Sequence, residues 1–252
     1  MTQQPIEHVF VIHVSEGYED RKAHIDTHLP HRGIDKFEYI LDGDIKALSP
    51  EVLATIFKDS KTSPAENSCF YKHYLACKQV VERELQYALI FEDDVLLNEG
   101  FCNSVLEILD ELKAESNYLV NIEDAYLAVP YRFRNKGQKV YLANYTKMCG
   151  AYIIDNVAAH RLVDFIEQNG TTLPIDTYQS EYRNDMKINI YWAEPSLVHQ
   201  GSKSGRFESS VNVEKEGLLQ SIKYRLKCFH KKYIWSHTNK RVIRVFEHVI
   251  KY

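Results

Sequence analysis

Cysteine is scarce in this 252-residue chain and shows no pairing pattern. The five residues, at 69, 77, 102, 149 and 228, are odd in number, widely spaced and never arranged as C-x-x-C. That argues for reduced, structural thiols in a cytoplasmic setting and against a zinc site. Glycine is also low, at ten. No G-x-G-x-x-G and no Walker lysine loop precedes a helical stretch, which speaks against Rossmann dehydrogenases and nucleoside triphosphatases. No apolar run reaches the roughly 20 residues of a membrane span. The start, "MTQQPIEHVFVIHV", lacks the basic region and the long apolar core of a signal peptide, so a soluble or peripheral protein is expected. Internal repeats and low-complexity tracts are missing too. With 44% hydrophobic and 26% charged residues, the chain is a folded globular one, able to bury a core as one or two domains.

The net charge of −4 hides an asymmetry. From Lys215 to Tyr252 ten Lys and Arg face only Glu216 and Glu247, a charge of +8, which leaves −12 on residues 1–214. The expected organisation is therefore a body, 1–214, and a basic tail, 215–252, whose separate partner is anionic.

Along the body, apolar runs alternate with helical patterns. Val9–Val14 reads as a buried first strand, and a helix-like stretch runs from Arg21 to His28. "FEYILDGD" (37–44) is a short strand closing on the turn dipeptide Asp42-Gly43. Ser63-Pro64-Ala65-Glu66 has the form of a capping box with proline at the first helical position, so a helix follows it, with Phe70, Tyr74, Cys77 and Val81 on one face. A strand at Tyr87–Phe91, a helix near 102–115 and a strand at 118–122 come next. The stretch 129–155 suggests a hairpin or loop and then a strand. A helix over 157–168 stops at Asn169-Gly170, and "LPIDTY" and "IYWAEPSLVHQ" read as extended pieces. Alternating strands and helices predict an α/β fold with a mainly parallel sheet.

The strand at Tyr87–Phe91 ends in three successive acids, Glu92, Asp93 and Asp94. Adjacent carboxylates repel and are costly to bury, so either they lie in solvent or something positive sits there. Ligands of open α/β sheets bind beyond the carboxyl ends of the strands. Carboxylates suit Mg²⁺ or Mn²⁺ completed by substrate phosphates. Strand alternation would send Glu92 and Asp94 one way, toward a metal diphosphate, and Asp93 the other, toward a sugar hydroxyl or a base.

Six blocks in order, "VFVIHVSEGYEDR", "AENSCFYKHYLACK", "YALIFEDDVLL", "GAYIIDNVAAHRL", "LPID" and "EPSLVHQ", resemble glycosyltransferase family 25, the lipooligosaccharide galactosyltransferase family, over roughly residues 8–210. The resemblance implies a GT-A-like, Rossmann-type αβα sandwich with a mainly parallel mixed sheet. It implies transfer of a hexose, galactose foremost, from a UDP-sugar to a lipooligosaccharide or lipopolysaccharide acceptor, with Mn²⁺ or Mg²⁺. It places Val11, Ile12, His13, Arg21, Asp42, Gly43, Lys72, His73, Asp93 and Gln200 at the donor, and Glu92, Asp94 and His199 at the metal. Three departures stand out: His13 where the family usually has Asn, Ala65-Glu66 for Gly-Glu, and Lys72-His73 for Ser-His. They bear on the donor's base or sugar, and Lys72 would add charge near the diphosphate.

Each of these residues also has a plainer reading. Arg21 is equally a solvated residue at a helix start, His73 a packed core histidine, and Glu66 simply the capping-box acid. Tyr152 and Trp192 either stack on sugar or uracil faces or fill the core. Asp176, anchored by Pro174 between Leu173 and Ile175, is the candidate base for an inverting transfer. Its rival role is an N-cap. The tail has apolar residues at 218, 219, 222, 226 and 229 and again at 242, 245, 246, 249 and 250, both at helical spacing with Lys and Arg between. Such a helix reads as a membrane-surface element, with packing on the acidic body as the alternative; no nucleic-acid fold signature appears. The expected place is cytoplasmic, peripheral on the inner face of a bacterial inner membrane. The competing function is a non-catalytic carbohydrate-binding or scaffold relative of the same fold.

Overall fold

The computed structural model describes residues 6–58, 61–202 and 226–252. In chain order the elements of the body are β1 (Val9–Ile12), α1 (Glu19–His31), β2 (Glu38–Ile40), α2 (Pro50–Thr55), α3 (Pro64–Glu82), β3 (Tyr87–Glu92), β4 (Val95–Leu97), α4 (Phe101–Glu111), β5 (Tyr118–Asn121), β6 (Val140–Ala143), β7 (Ala151–Asp155), α5 (Asn156–Asn169), α6 (Ile175–Glu181), β8 (Asn189–Ala193) and β9 (Val198–Gln200). Seven strands form one sheet in the order β2-β1-β3-β7-β5-β8-β6, and β4 pairs with β9 in a separate ribbon. β2, β1 and β3 are parallel; β7 runs against both β3 and β5; β8 is parallel to β5, and β6 closes the edge antiparallel. Five strands thus share a direction and two oppose it. The fold is α/β with a mainly parallel, mixed sheet.

Both faces are covered, which is why the central strands read as unbroken apolar runs. Phe10, Ile12, Ala88 and Ile90 point into one core with α3, α5 and α6. Val9, Val11, Leu89 and Phe91 point into the other with Ile25 and Leu29 of α1 and with Phe101, Val105 and Ile108 of α4. The helix ends follow local chemistry. The Ser63–Glu66 capping box forms at the start of α3, and the Asp155 carboxylate accepts from Ala158 N to cap α5. On α3 the buried residues include Phe70, Tyr74, Cys77 and Val80, with Val81 only partly covered.

Two local expectations are corrected. "LPIDTY" is not extended: Ile175–Glu181 is helical, starting after Pro174 and burying Ile175, Tyr178 and Gln179. The fixed φ of proline suits a helix start, and seven residues are too few to display a 3.6 period. Of the two alternatives for 129–155, the hairpin fails, because β6 and β7 are parted in the sheet by β5 and β8, and the loop followed by strand is what forms.

The described part of the tail lies on the body. Val242 is buried in the α3–α5 core, with Trp235, Val245 and Phe246 packed against it. Phe246 meets Trp192 edge-on at 5.0 Å, and Lys251 pairs with Glu115 at 2.6 Å. Val242, Val245 and Phe246 of the second apolar stripe therefore face the body, while Ile250 is exposed. Of the first stripe, Leu218, Leu219 and Ile222 lie outside the described residues, while Leu226 and Phe229 are exposed. No helix among the described residues is long and apolar enough to cross a membrane.

Candidate functional site

The parallel strands β1, β2 and β3 end at the same edge of the sheet, so His13, Asp42 and Glu92 leave it side by side. Glu92 is the last residue of β3, and Asp93-Asp94 make the turn into β4. Strand alternation therefore does not govern the three carboxylates, because the strand ends in a turn after Glu92. Nor is this a solvated loop: Asp93 is 4% and Asp94 1% exposed. The positive partner is present. Arg21 Nη1, from the first turn of α1, donates to Asp93 Oδ1 at 2.7 Å, and His13 Nδ1 lies 2.7 Å from Asp93 Oδ2. Pairing of this kind offsets the cost of burying the carboxylate.

Asp94 differs. Its backbone carbonyl accepts from Gly201 N at 2.6 Å and its Oδ2 from Ser202 N at 3.0 Å. Its Oδ1 is buried with no hydrogen-bond partner among the described residues. An orphaned carboxylate oxygen costs several kcal/mol unless a ligand meets it. It fits a cation donor.

The β4–β9 ribbon brings the late-chain residues here, setting Gln200 opposite Val95 and His199 opposite Leu96. The two residues point to opposite faces. Gln200 Nε2 turns inward and donates to Glu92 Oε2 at 3.1 Å. His199 is half exposed, and its Nδ1 lies 3.0 Å from Asp124 Oδ2. Lys232 of the tail sits 2.9 Å from Asp124 Oδ1. Burial alone would raise the Asp124 carboxyl; the His199 hydrogen bond and the Lys232 ammonium outweigh it and hold it below its ordinary value. Asp124, which the sequence reading missed, follows β5 in "NIEDAY". A second acidic pair after a second predicted strand was the signal that could have found it. Glu92, Asp94 and His199 do not form a group of three donor atoms within 4.8 Å of one another.

Gly150 lets Gln200 and Glu123 close onto the backbone, because a Cβ there would stand 2.3 Å from Gln200 Nε2 and 2.8 Å from Glu123 Oε2. Lys72 is spent on structure. Its buried ammonium donates to the Leu41 carbonyl at 2.6 Å and pairs with Asp44 at 2.9 Å, pinning the exit of β2. Beside it Asp42 is exposed and Gly43 takes a positive φ of 94°. Val11 and Ile12 have their side chains in the two cores, so they offer a ligand backbone only. His73 is fully buried next to Tyr152, and burial pushes its imidazole down to about 3, keeping it neutral. Asp176 stands in the first turn of α6, with Oδ1 accepting from Thr177 N at 2.7 Å. Its charge is felt at His73, Cys69 and Cys149, so it lies in the neighbourhood of that cluster. Trp192 and Tyr152 are both core residues.

Lys147 is a further buried cation. Its Nζ lies 3.1 Å from both the Glu123 carbonyl and Ser196 Oγ, above the Trp192 ring. Burial pulls its pKa from 10.5 down to about 8. Between those values the unfolded chain binds more protons than the native one, so this group's contribution to stability rises with pH, by about 1.4 kcal/mol per unit. Urea unfolding at pH 7.5 and 9.5 checks this against Lys147→Met. The wild type is expected to gain about 2 kcal/mol on the variant over that interval, and an equal difference at both pH values would show that Lys147 titrates normally.

The family model described as "Glycosyltransferase family 25 (LPS biosynthesis protein)" matches residues 6–179. Procollagen galactosyltransferase 2 of Homo sapiens is 26% identical over 186 residues, 64% of this chain and 29% of that protein; the chain thus spans less than a third of that relative's length. Lacto-N-neotetraose biosynthesis glycosyltransferase LgtE of Neisseria meningitidis serogroup B is 28% identical over 213 residues, covering 77% of this chain and 74% of its own. Lipooligosaccharide biosynthesis protein lic2B of Haemophilus influenzae is 32% identical over 97 residues, 36% of this chain and 35% of that one. Among solved structures, the UTP-bound UGPase from Acinetobacter baumannii aligns with 95% of this chain and 99% of its own at a TM-score of 0.41 and 8% identity, a likeness too distant to bear on ligand or activity.

Proposed function

Because the chain belongs to glycosyltransferase family 25, we propose that it moves a hexose, galactose foremost, from a UDP-sugar to a lipooligosaccharide or lipopolysaccharide acceptor, with Mn²⁺ or Mg²⁺ as cofactor. The observation that carries this reading is the unpartnered Asp94 Oδ1 at the carboxyl edge of the sheet. Asp94 and His199 are the residues that would hold the cation. A histidine whose Nδ1 is taken by a carboxylate presents Nε2 as a ligand, and Asp124 is that carboxylate. When bound, the ion neutralises charge developing on the leaving diphosphate. Glu92, the third expected ligand, is turned toward Gln200.

The chain's own groups do the rest. Asp93 is locked by Arg21 and His13, yet a carboxylate has about four acceptor sites, so it can still accept a donor hydroxyl. Asp176 has Oδ1 engaged by Thr177 N, which leaves Oδ2 to take the acceptor's proton. The acceptor oxygen then bonds the anomeric carbon, the bond to the diphosphate oxygen breaks, and its electron pair departs with UDP. Thermal unfolding with Mn²⁺ and UDP together tests donor binding. Ligand at 100 times its dissociation constant is expected to stabilise the protein by about 2.7 kcal/mol. No shift with any UDP-sugar would end this reading, and a shift without transfer to any glycan would favour the non-catalytic alternative.

The tail is proposed to hold the enzyme against an anionic bilayer on the cytoplasmic side. Leu226, Phe229 and Ile234 are exposed on one short helical run, which also carries Lys227 and His230. Each basic residue near anionic lipid contributes about 1 kcal/mol, screened by salt. Flotation with phosphatidylserine vesicles is expected at low salt and is expected to weaken at high salt. Failure to float at low salt would leave the tail a purely structural element.

A further inference from the structure

The spacing of cysteines along the chain gives no hint of a soft-metal site, but the fold assembles one. Cys69 and His73 stand four residues apart on α3, hence on one face of it. The end of β3 brings Glu92 against them. One donor atom each from Cys69, His73 and Glu92 lies within 4.8 Å of the others, and His73 Nε2 is 3.8 Å from Glu92 Oε1. His73 is wholly buried; its Nδ1 is 3.0 Å from the Tyr152 hydroxyl, while its Nε2 has no hydrogen-bond partner among the described residues. A buried ring nitrogen left unsatisfied is costly and calls for a ligand.

We propose that Cys69, His73 and Glu92 form a site for a borderline-soft divalent ion such as Zn²⁺ or Co²⁺, distinct from the hard-cation position at Asp94. The donor set decides the class of ion. Thiolate with imidazole selects zinc-like metals over Mg²⁺ and Mn²⁺. A tetrahedral Zn²⁺ with bonds of about 2.0–2.3 Å needs donors about 3.4–3.6 Å apart, which small side-chain rotations reach from the present separations. Three protein ligands leave the fourth position open. Binding transfers the Cys69 thiol proton to solvent, and the sulfur's electron pair goes to the metal. Tyr152 is then a positioning residue, its hydroxyl accepting from Nδ1–H so that Nε2 carries the lone pair. Glu92 joins this site through Oε1 while Oε2 stays with Gln200, so occupancy also fixes the Gln200 contact.

Metal-free full-length protein titrated with Co²⁺ tests this directly. One equivalent is expected to produce the near-ultraviolet thiolate-to-cobalt charge-transfer band, removed stoichiometrically by Zn²⁺. Cys69→Ser is expected to lose the band, and Asp94→Asn to keep it. Tyr152→Phe is expected to weaken Co²⁺ binding by about 10–100-fold, and Glu92→Gln is expected to weaken it while retaining a band. The last two variants keep the test decisive if Cys69→Ser folds poorly. A wild type without the band, a band surviving in Cys69→Ser, or unchanged affinity in both Tyr152→Phe and Glu92→Gln would overturn the site. The readout is absorbance, so the loss of the glycosyl-transfer reading would leave this result standing.

Discussion

Asp176→Asn is expected to slow transfer to the acceptor by about 10²–10⁴-fold, the usual contribution of a general base, while UDP affinity stays within about two-fold of wild type. The substitution preserves shape, and its side-chain oxygen can still accept from Thr177 N as Oδ1 does now. What disappears is the basic oxygen. Single-turnover transfer, set against UDP calorimetry on the same protein, separates the two effects. Near-normal turnover would remove Asp176 from the chemistry and leave it a residue of the α6 first turn.

The second large effect is expected at Asp94. Asp94→Asn keeps an acceptor for Ser202 N but replaces the unpartnered carboxylate oxygen by an uncharged group. Mn²⁺-dependent UDP affinity is expected to fall by about 100-fold or more, on the order of 3 kcal/mol, and metal-independent binding much less. Truncation to Ala is a poorer test, because Asp94 is buried rather than facing solvent, and the lost hydrogen bond would confound the reading. Calorimetry with and without Mn²⁺, beside urea unfolding of both proteins, keeps binding and folding apart. Equal affinity in the presence of Mn²⁺ would show that the cation sits elsewhere.

The elements read best from the chain are those whose signals are short-ranged. Ser63 and Glu66 are three residues apart, so the capping box needed nothing beyond its own turn. The apolar run of β3 and the Asn169-Gly170 stop of α5 were equally local. The failures were of range or of length. Ile175–Glu181 was too short to show its helical period, and no local propensity tells that β7 inserts antiparallel between β3 and β5. Among the candidate site residues, Lys72 was read as a charge for the diphosphate, yet its ammonium is enclosed by Leu41, Asp42 and Asp44. That enclosure depends on where β2 ends relative to α3, some thirty residues away in sequence.

By itself, then, the amino-acid order determined the α/β class and the position of three carboxylates at a strand end, to be met either by solvent or by something positive, while the resemblance of six blocks pointed to the family. The class and the strand end follow from hydrophobic period and capping chemistry, and the alternatives at the carboxylates from the cost of burying charge, all of which act within a few residues. Only the tertiary structure decided what meets them. Arg21 and His13 hold Asp93, the β4–β9 ribbon carries Gln200 to Glu92, Lys232 of the tail reaches Asp124, and Cys69 and His73 face Glu92. The Arg21, His13, Gln200 and Lys232 meetings join residues more than seventy positions apart, and Cys69 and His73 lie 23 and 19 positions before Glu92. These meetings are set by which strand ends share an edge of the sheet, and that is a property of the packed whole.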